Sequence, residues 1–144
     1  MKRIFMVCLT TLILFVAVNA TAVEWVAADQ KTIGWDPVLT LATGETIPAG
    51  DAIVYHVYIK RAGQAEKSMV ASNLATTQYT ITLDQEGRFF IGIQAVRVYT
   101  VDGQDLTSES EIAWSDIPEN CGAGGDFGIF YLIPPSDVVG ISKN

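Results

Sequence analysis

Few residues in this 144-residue chain could carry chemistry, and their settings argue against it. His56 is the only histidine, so a histidine-based metal cluster cannot form within one chain, and no G-x-S-x-G motif lies near it to supply an activated serine. Cys121 lies in the glycine-rich run "IPENCGAGGD" with no fixed base beside it, a poor setting for a nucleophile. Glu109 and Glu111 flank Ser110 and would share one strand face, which a solvated edge explains without any catalytic role. "DGQD" (102–105) has oxygen ligands suited to calcium but lacks the rest of a twelve-residue loop and its closing bidentate acid, so Asp102-Gly103 reads as a hairpin turn. "GAGGD" is followed by neither Lys-Ser/Thr nor a helix, so it is no phosphate loop. The reading is a protein that is not an enzyme and has no cofactor and no metal site.

The elements that would position these residues begin after an export leader. Met1-Lys2-Arg3 is a short basic start, Ile4 to Val18 is apolar and uncharged, and "NATA" supplies small residues. That layout predicts a signal peptide over residues 1–20, cleaved after Ala20 or Ala22. Fifteen apolar residues fall short of the roughly 20 that span a bilayer. The chain's net charge is −7, and loss of Lys2 and Arg3 with the leader makes it two units more negative. Beyond the leader Lys60-Arg61 is the densest basic pair, so nucleic-acid binding and docking on anionic lipid are excluded on electrostatic grounds. The predicted location is secreted, periplasmic or extracellular. Cys121 alone survives cleavage, so no internal disulfide is expected; an unpaired thiol and an intermolecular bridge both stay open.

The rest reads as all-β. Short runs rich in Val, Ile, Tyr, Phe and Thr alternate with turn residues, and no dozen-residue stretch keeps helical spacing. Strands are predicted at 22–28, 31–35, 52–60, 67–71, 77–83, 88–99 and 110–116, with "TVDGQDLTSES" as a hairpin loop. Seven strands in about ninety-five residues suit an immunoglobulin-like β-sandwich. Residues 117–144 read as a glycine-rich spacer and an apolar tail, "FGIFYLIPPSDVVGISKN", appended to that sandwich.

Several of these runs resemble the fibronectin type III domain over residues 22–116. "IGWDPV" is similar to that family's second strand and its core tryptophan, "YHVYIK" to the third, and Leu83 with Phe89 around "DQEG" to its corner. "FFIGIQAV" and "SESEIAWSD" resemble its sixth and last strands. Two departures stand out. Phe89 occupies the corner tyrosine position, exchanging a hydrogen bond of about 1 kcal/mol for apolar packing. The loop at 100–110 lacks Arg-Gly-Asp, so receptor adhesion through that triplet is not implied. The resemblance implies a seven-stranded fibronectin type III sandwich with a C-terminal extension, of the small exported bacterial kind.

Alternation assigns the faces. Ile33 and Trp35, Tyr55, Val57 and Ile59, and Phe89, Ile91, Ile93 and Ala95 point inward, with Trp35 as the largest core member. His56, Tyr58, Phe90, Gln94 and Val96 then point outward as an apolar, partly aromatic patch, the predicted binding residues. The partner would be a protein or polysaccharide at the cell surface. The expected function is a non-enzymatic exported recognition or spacer module. The alternative is a structural subunit of an extracellular assembly, self-associating through residues 127–133. That tail either covers apolar surface of its own chain, as an extra strand or a lid, or adds to a neighbour's sheet.

Overall fold

The computed structural model describes residues 22–136; the predicted leader and the last eight residues lie outside the described residues. The order along the chain is β1 (Glu24–Ala27), β2 (Gln30–Gly34), β3 (Ala52–Arg61), β4 (Lys67–Leu74), β5 (Gln78–Thr82), β6 (Gly87–Val101), β7 (Gln104–Glu109), β8 (Ala113–Trp114), one 3-10 turn at Pro118–Asn120, and β9 (Phe127–Tyr131). The architecture is all-β, and among the described residues no helix is long and apolar enough to cross a membrane.

β6 organises the larger sheet. Its β-branched and aromatic residues run for fifteen positions without a proline, and β3 pairs with it antiparallel along ten of them, Ala52 beside Val98 through Arg61 beside Phe89. Its other edge is shared by three segments in tandem: β7 beside Val96–Val101, β8 beside Gly92 and Ile93, and β9 beside Gly87–Phe89. Ser115 splices the last two. Its Oγ accepts from the amide of Ile91 at 3.0 Å, its own amide donates to the Ile91 carbonyl, and its carbonyl accepts from Phe127. The strand path β1-β9-β6-β3-β4 is completed by β1, which runs parallel to β9.

β2 and β5 form a separate antiparallel pair. Ile33 and Ile81 from this pair close on Val57, Phe89, Ile91 and Ile129 of the large sheet, with Leu83 beside them. The inward assignment of Val57, Phe89 and Ile91 therefore describes the actual core. Trp35 lies just past β2, half-buried and packed against that core, with its ring edge-on to Tyr55 at 5.4 Å. It borders the core rather than filling its centre. Its indole N–H is buried with no acceptor among the described residues, a condition that costs about 1–3 kcal/mol and that the packing of the ring must offset.

The structure differs from the strand reading in three places. The run expected to be a hairpin loop is mostly strand: Asp102 and Gly103 alone make the turn, with φ of 52° and 77°, and β7 follows at once. Both positive φ values fit the two-residue turn that Asp-Gly favours. β7 has every residue exposed, so it is held by turn chemistry and backbone pairing, and apolar periodicity could not reveal it. The expected strand at 110–116 shrinks to Ala113–Trp114. Finally, the tail read as an appendage supplies β9, which sits inside the sheet between β1 and β6.

Because Ile129 is only 1% exposed at the junction of both sheets, Ile129→Ala should destabilise by about 2–5 kcal/mol in urea denaturation. Exposed Leu132, three residues on, should tolerate alanine within about 0.5 kcal/mol.

Candidate functional site

The outward patch predicted from alternation exists as a face but not as an open one, because most of it is buried. Tyr58, Phe90, Gln94 and Val96 are 9%, 9%, 8% and 3% exposed, and only His56 is half-exposed. Two tryptophans from distant segments pack on this face, admitted by two glycines. Trp25 of β1 pairs with Gly128 and stacks on Phe90 with ring centres 5.1 Å apart; a Cβ on Gly128 would collide with the Trp25 ring. Trp114 of β8 pairs with Gly92, where a Cβ would lie 2.9 Å from its ring and 2.6 Å from Ile112.

Cations complete the cover. Lys60 Nζ sits 4.4 Å from the Trp114 ring centre and 3.0 Å from Asp116 Oδ2, and Arg88 lies 5.0 Å from Trp25. Beneath them Tyr58 Oη donates to Gln94 Oε1 at 2.9 Å, and Gln94 Nε2 donates to the Ser110 carbonyl and to Glu109. Burial, and then the Glu109 charge, push the Tyr58 phenol above its usual pKa. His56 Nδ1 accepts from the amide of Asn73, so that ring is tied to β4.

The open surface lies elsewhere. A cleft of about 600 Å³ runs between the layers beside β2. Its floor is the inner face of the large sheet, where Ile93 and Ala95 of β6 are partly exposed and Ala113 of β8 is exposed, and Trp35, Tyr55 and Val38 wall one side. Val38 donates its amide to Tyr55 Oη at 2.9 Å, fixing the loop after Trp35 to the wall. The charged residues lining this cleft are both acids, Asp36 and Glu111. On the opposite flank a second cleft of about 770 Å³ is polar, lined by Lys60, Arg61, Gln64, Glu66, Asp84 and Gln85 among others. Alternation located the inner face correctly but carried no information on how much of it the second layer would cover.

Cys121 borders the first cleft as a free, half-buried thiol whose Sγ faces the Ser115 carbonyl at 3.4 Å. Burial raises its pKa first, with Asp126 and Asp116 adding to the effect, so it holds its proton at neutral pH. Among the described residues no group of three or more His, Cys, Asp or Glu is placed to hold a metal ion.

Adding one methyl at the Trp114 notch should be felt. Gly92→Ala is expected to lose about 1–3 kcal/mol, and pairing it with Trp114→Ala should recover part of that in a double-mutant cycle. The Tyr58 phenol makes a pH prediction. The unfolded chain ionises it near the ordinary value while the folded state holds the proton to higher pH. Stability should therefore fall as pH rises from about 10 upward, and urea midpoints for Tyr58→Phe should fall less steeply.

No protein-family model, curated protein or solved structure matches this chain.

Proposed function

We propose that this chain is a non-enzymatic, exported recognition module on a fibronectin type III-like sandwich, and that it binds a protein through the cleft beside β2. The observation that carries this reading is the cleft itself: inner-sheet apolar side chains left partly exposed between the Trp35 wall and the turn at residues 120–122, which the two-stranded layer does not cover. Pockets of this size with an apolar floor and a few polar groups are the usual form of a binding site. The apolar floor favours a protein over a polysaccharide, whose hydroxyls would be left unpaired there.

Export rests on the leader pattern of residues 1–20 and on the acidic charge. The non-enzymatic reading is supported by His56 being engaged by a backbone amide and by Cys121 being held as a protonated thiol against a carbonyl. The assembly-subunit alternative is less favoured, because Phe127–Tyr131 already pairs on both edges within its own chain.

A photo-crosslinking residue at Val38, on the cleft rim, tests the reading in the producing cell. A discrete protein adduct is expected, and it should vanish when Ala113→Trp fills the cleft. An adduct that survives Ala113→Trp, or no adduct at all, contradicts it.

A further inference from the structure

Among the described residues the cleft is bordered by a strand edge with no partner, and we propose that this edge receives an extended, cationic segment of a partner protein as a third strand of the small sheet. This deepens the recognition reading and rests on it. Among the described residues β2 pairs with β5 alone. The amide of Trp35 donates to Thr77 and that of Leu83 to the Asp29 carbonyl, which sets the phase of the ladder. Residues 29, 31, 33 and 35 thus turn their backbone groups to β5, while the N–H and C=O groups of Gln30, Thr32 and Gly34 turn away from it. All three residues are exposed.

The usual protections of an edge are missing. β2 has no proline and no register shift, and its one lysine shares a row with core Ile81. Its five residues span about 17 Å, enough for several backbone hydrogen bonds to an added strand. Alternate side chains of such a strand would enter the cleft over Ile93 and Ala113, where apolar groups find partners.

Charge selects among occupants. The cleft's charged lining is Asp36 and Glu111, and the whole chain carries −7. A second copy brings like charge to an acidic rim, whereas a segment carrying Lys or Arg meets opposite charge. The partner chemistry is therefore an extended peptide with apolar residues on one side and basic residues on the other.

The probe is a ten-residue peptide alternating valine and lysine, titrated against the full chain and followed by tryptophan emission and ¹⁵N shifts. Saturable binding with shifts at Gln30, Thr32 and Gly34 is expected. Methylating the peptide nitrogens that face β2 should weaken it at least tenfold. Thr32→Pro should do the same, since it removes an edge donor and leaves the β2–β5 backbone hydrogen bonds intact; Thr32→Val, which loses only the side-chain bond to Thr80, should bind like wild type. Joint Asp36→Asn and Glu111→Gln should weaken binding several-fold and flatten its salt dependence. Equal affinity for the methylated peptide, or no binding, overturns the inference. So do concentration-dependent shifts at the β2 edge without peptide, which would make a second copy the occupant. If the Val38 adduct persists in wild type while the peptide fails, the strand inference falls alone; loss of that adduct removes the cleft reading as well.

Discussion

The two layers of this protein have unequal widths, and most of its other features follow from that. The large sheet runs five strands across, about 19 Å at ordinary strand spacing, while the layer opposite it has two. A two-stranded layer can cover the middle of such a sheet, and there Ile33 and Ile81 do close on Val57 and Ile91. It cannot cover the flanks. One flank is left with the apolar cleft and the other with the polar one, each lined partly by residues that a wider second layer would bury. The route of β1 produces the imbalance. By crossing to pair with β9 it widens the large sheet and leaves β2 with one neighbour among the described residues.

The opposite face of the large sheet answers the same problem differently. Among the described residues no second layer lies there, yet Tyr58, Phe90, Gln94 and Val96 are buried. Trp25 packs on Phe90 over Gly128 and Trp114 lies over Gly92, with Arg88 and Lys60 beside the rings, while Gln94 is held by Tyr58, Glu109 and Ser110. Lysine and arginine stems add apolar cover while their charges stay wet. One aromatic from each of two distant segments, with this hydrogen-bonded cluster, thus stands in for a layer. This also ties β1 and β8, both short, into a sheet whose backbone pairing alone holds them by only two to four residues.

Local chemistry and face assignment were legible in the sequence; the choice of partner strands was not. Alternation placed Tyr55, Val57, Phe89 and Ile91 inward, and Asp102-Gly103 announced its turn, because both signals are carried by neighbouring residues. Which strand lies beside which depends on contacts far apart in the chain. Nothing in "AVEWVAA" indicates a parallel pairing with residues 127–130, and nothing in "FFIGIQAV" indicates that Trp114 will fill the space above Gly92. The predicted binding residues were therefore on the right face but under the wrong cover. β7 escaped for a different reason, since a strand exposed at every position has no apolar rhythm to read.

The unpaired edge of β2 is the most direct point at which to test this account, by residue-resolved amide hydrogen exchange on the free protein. If the second layer is only two strands wide, protection should alternate: slow exchange at Lys31, Ile33 and Trp35, whose amides face β5, and fast exchange at Gln30, Thr32 and Gly34. Slow exchange at all six amides would mean that another strand already lies beside β2, and the unequal layers would be wrong.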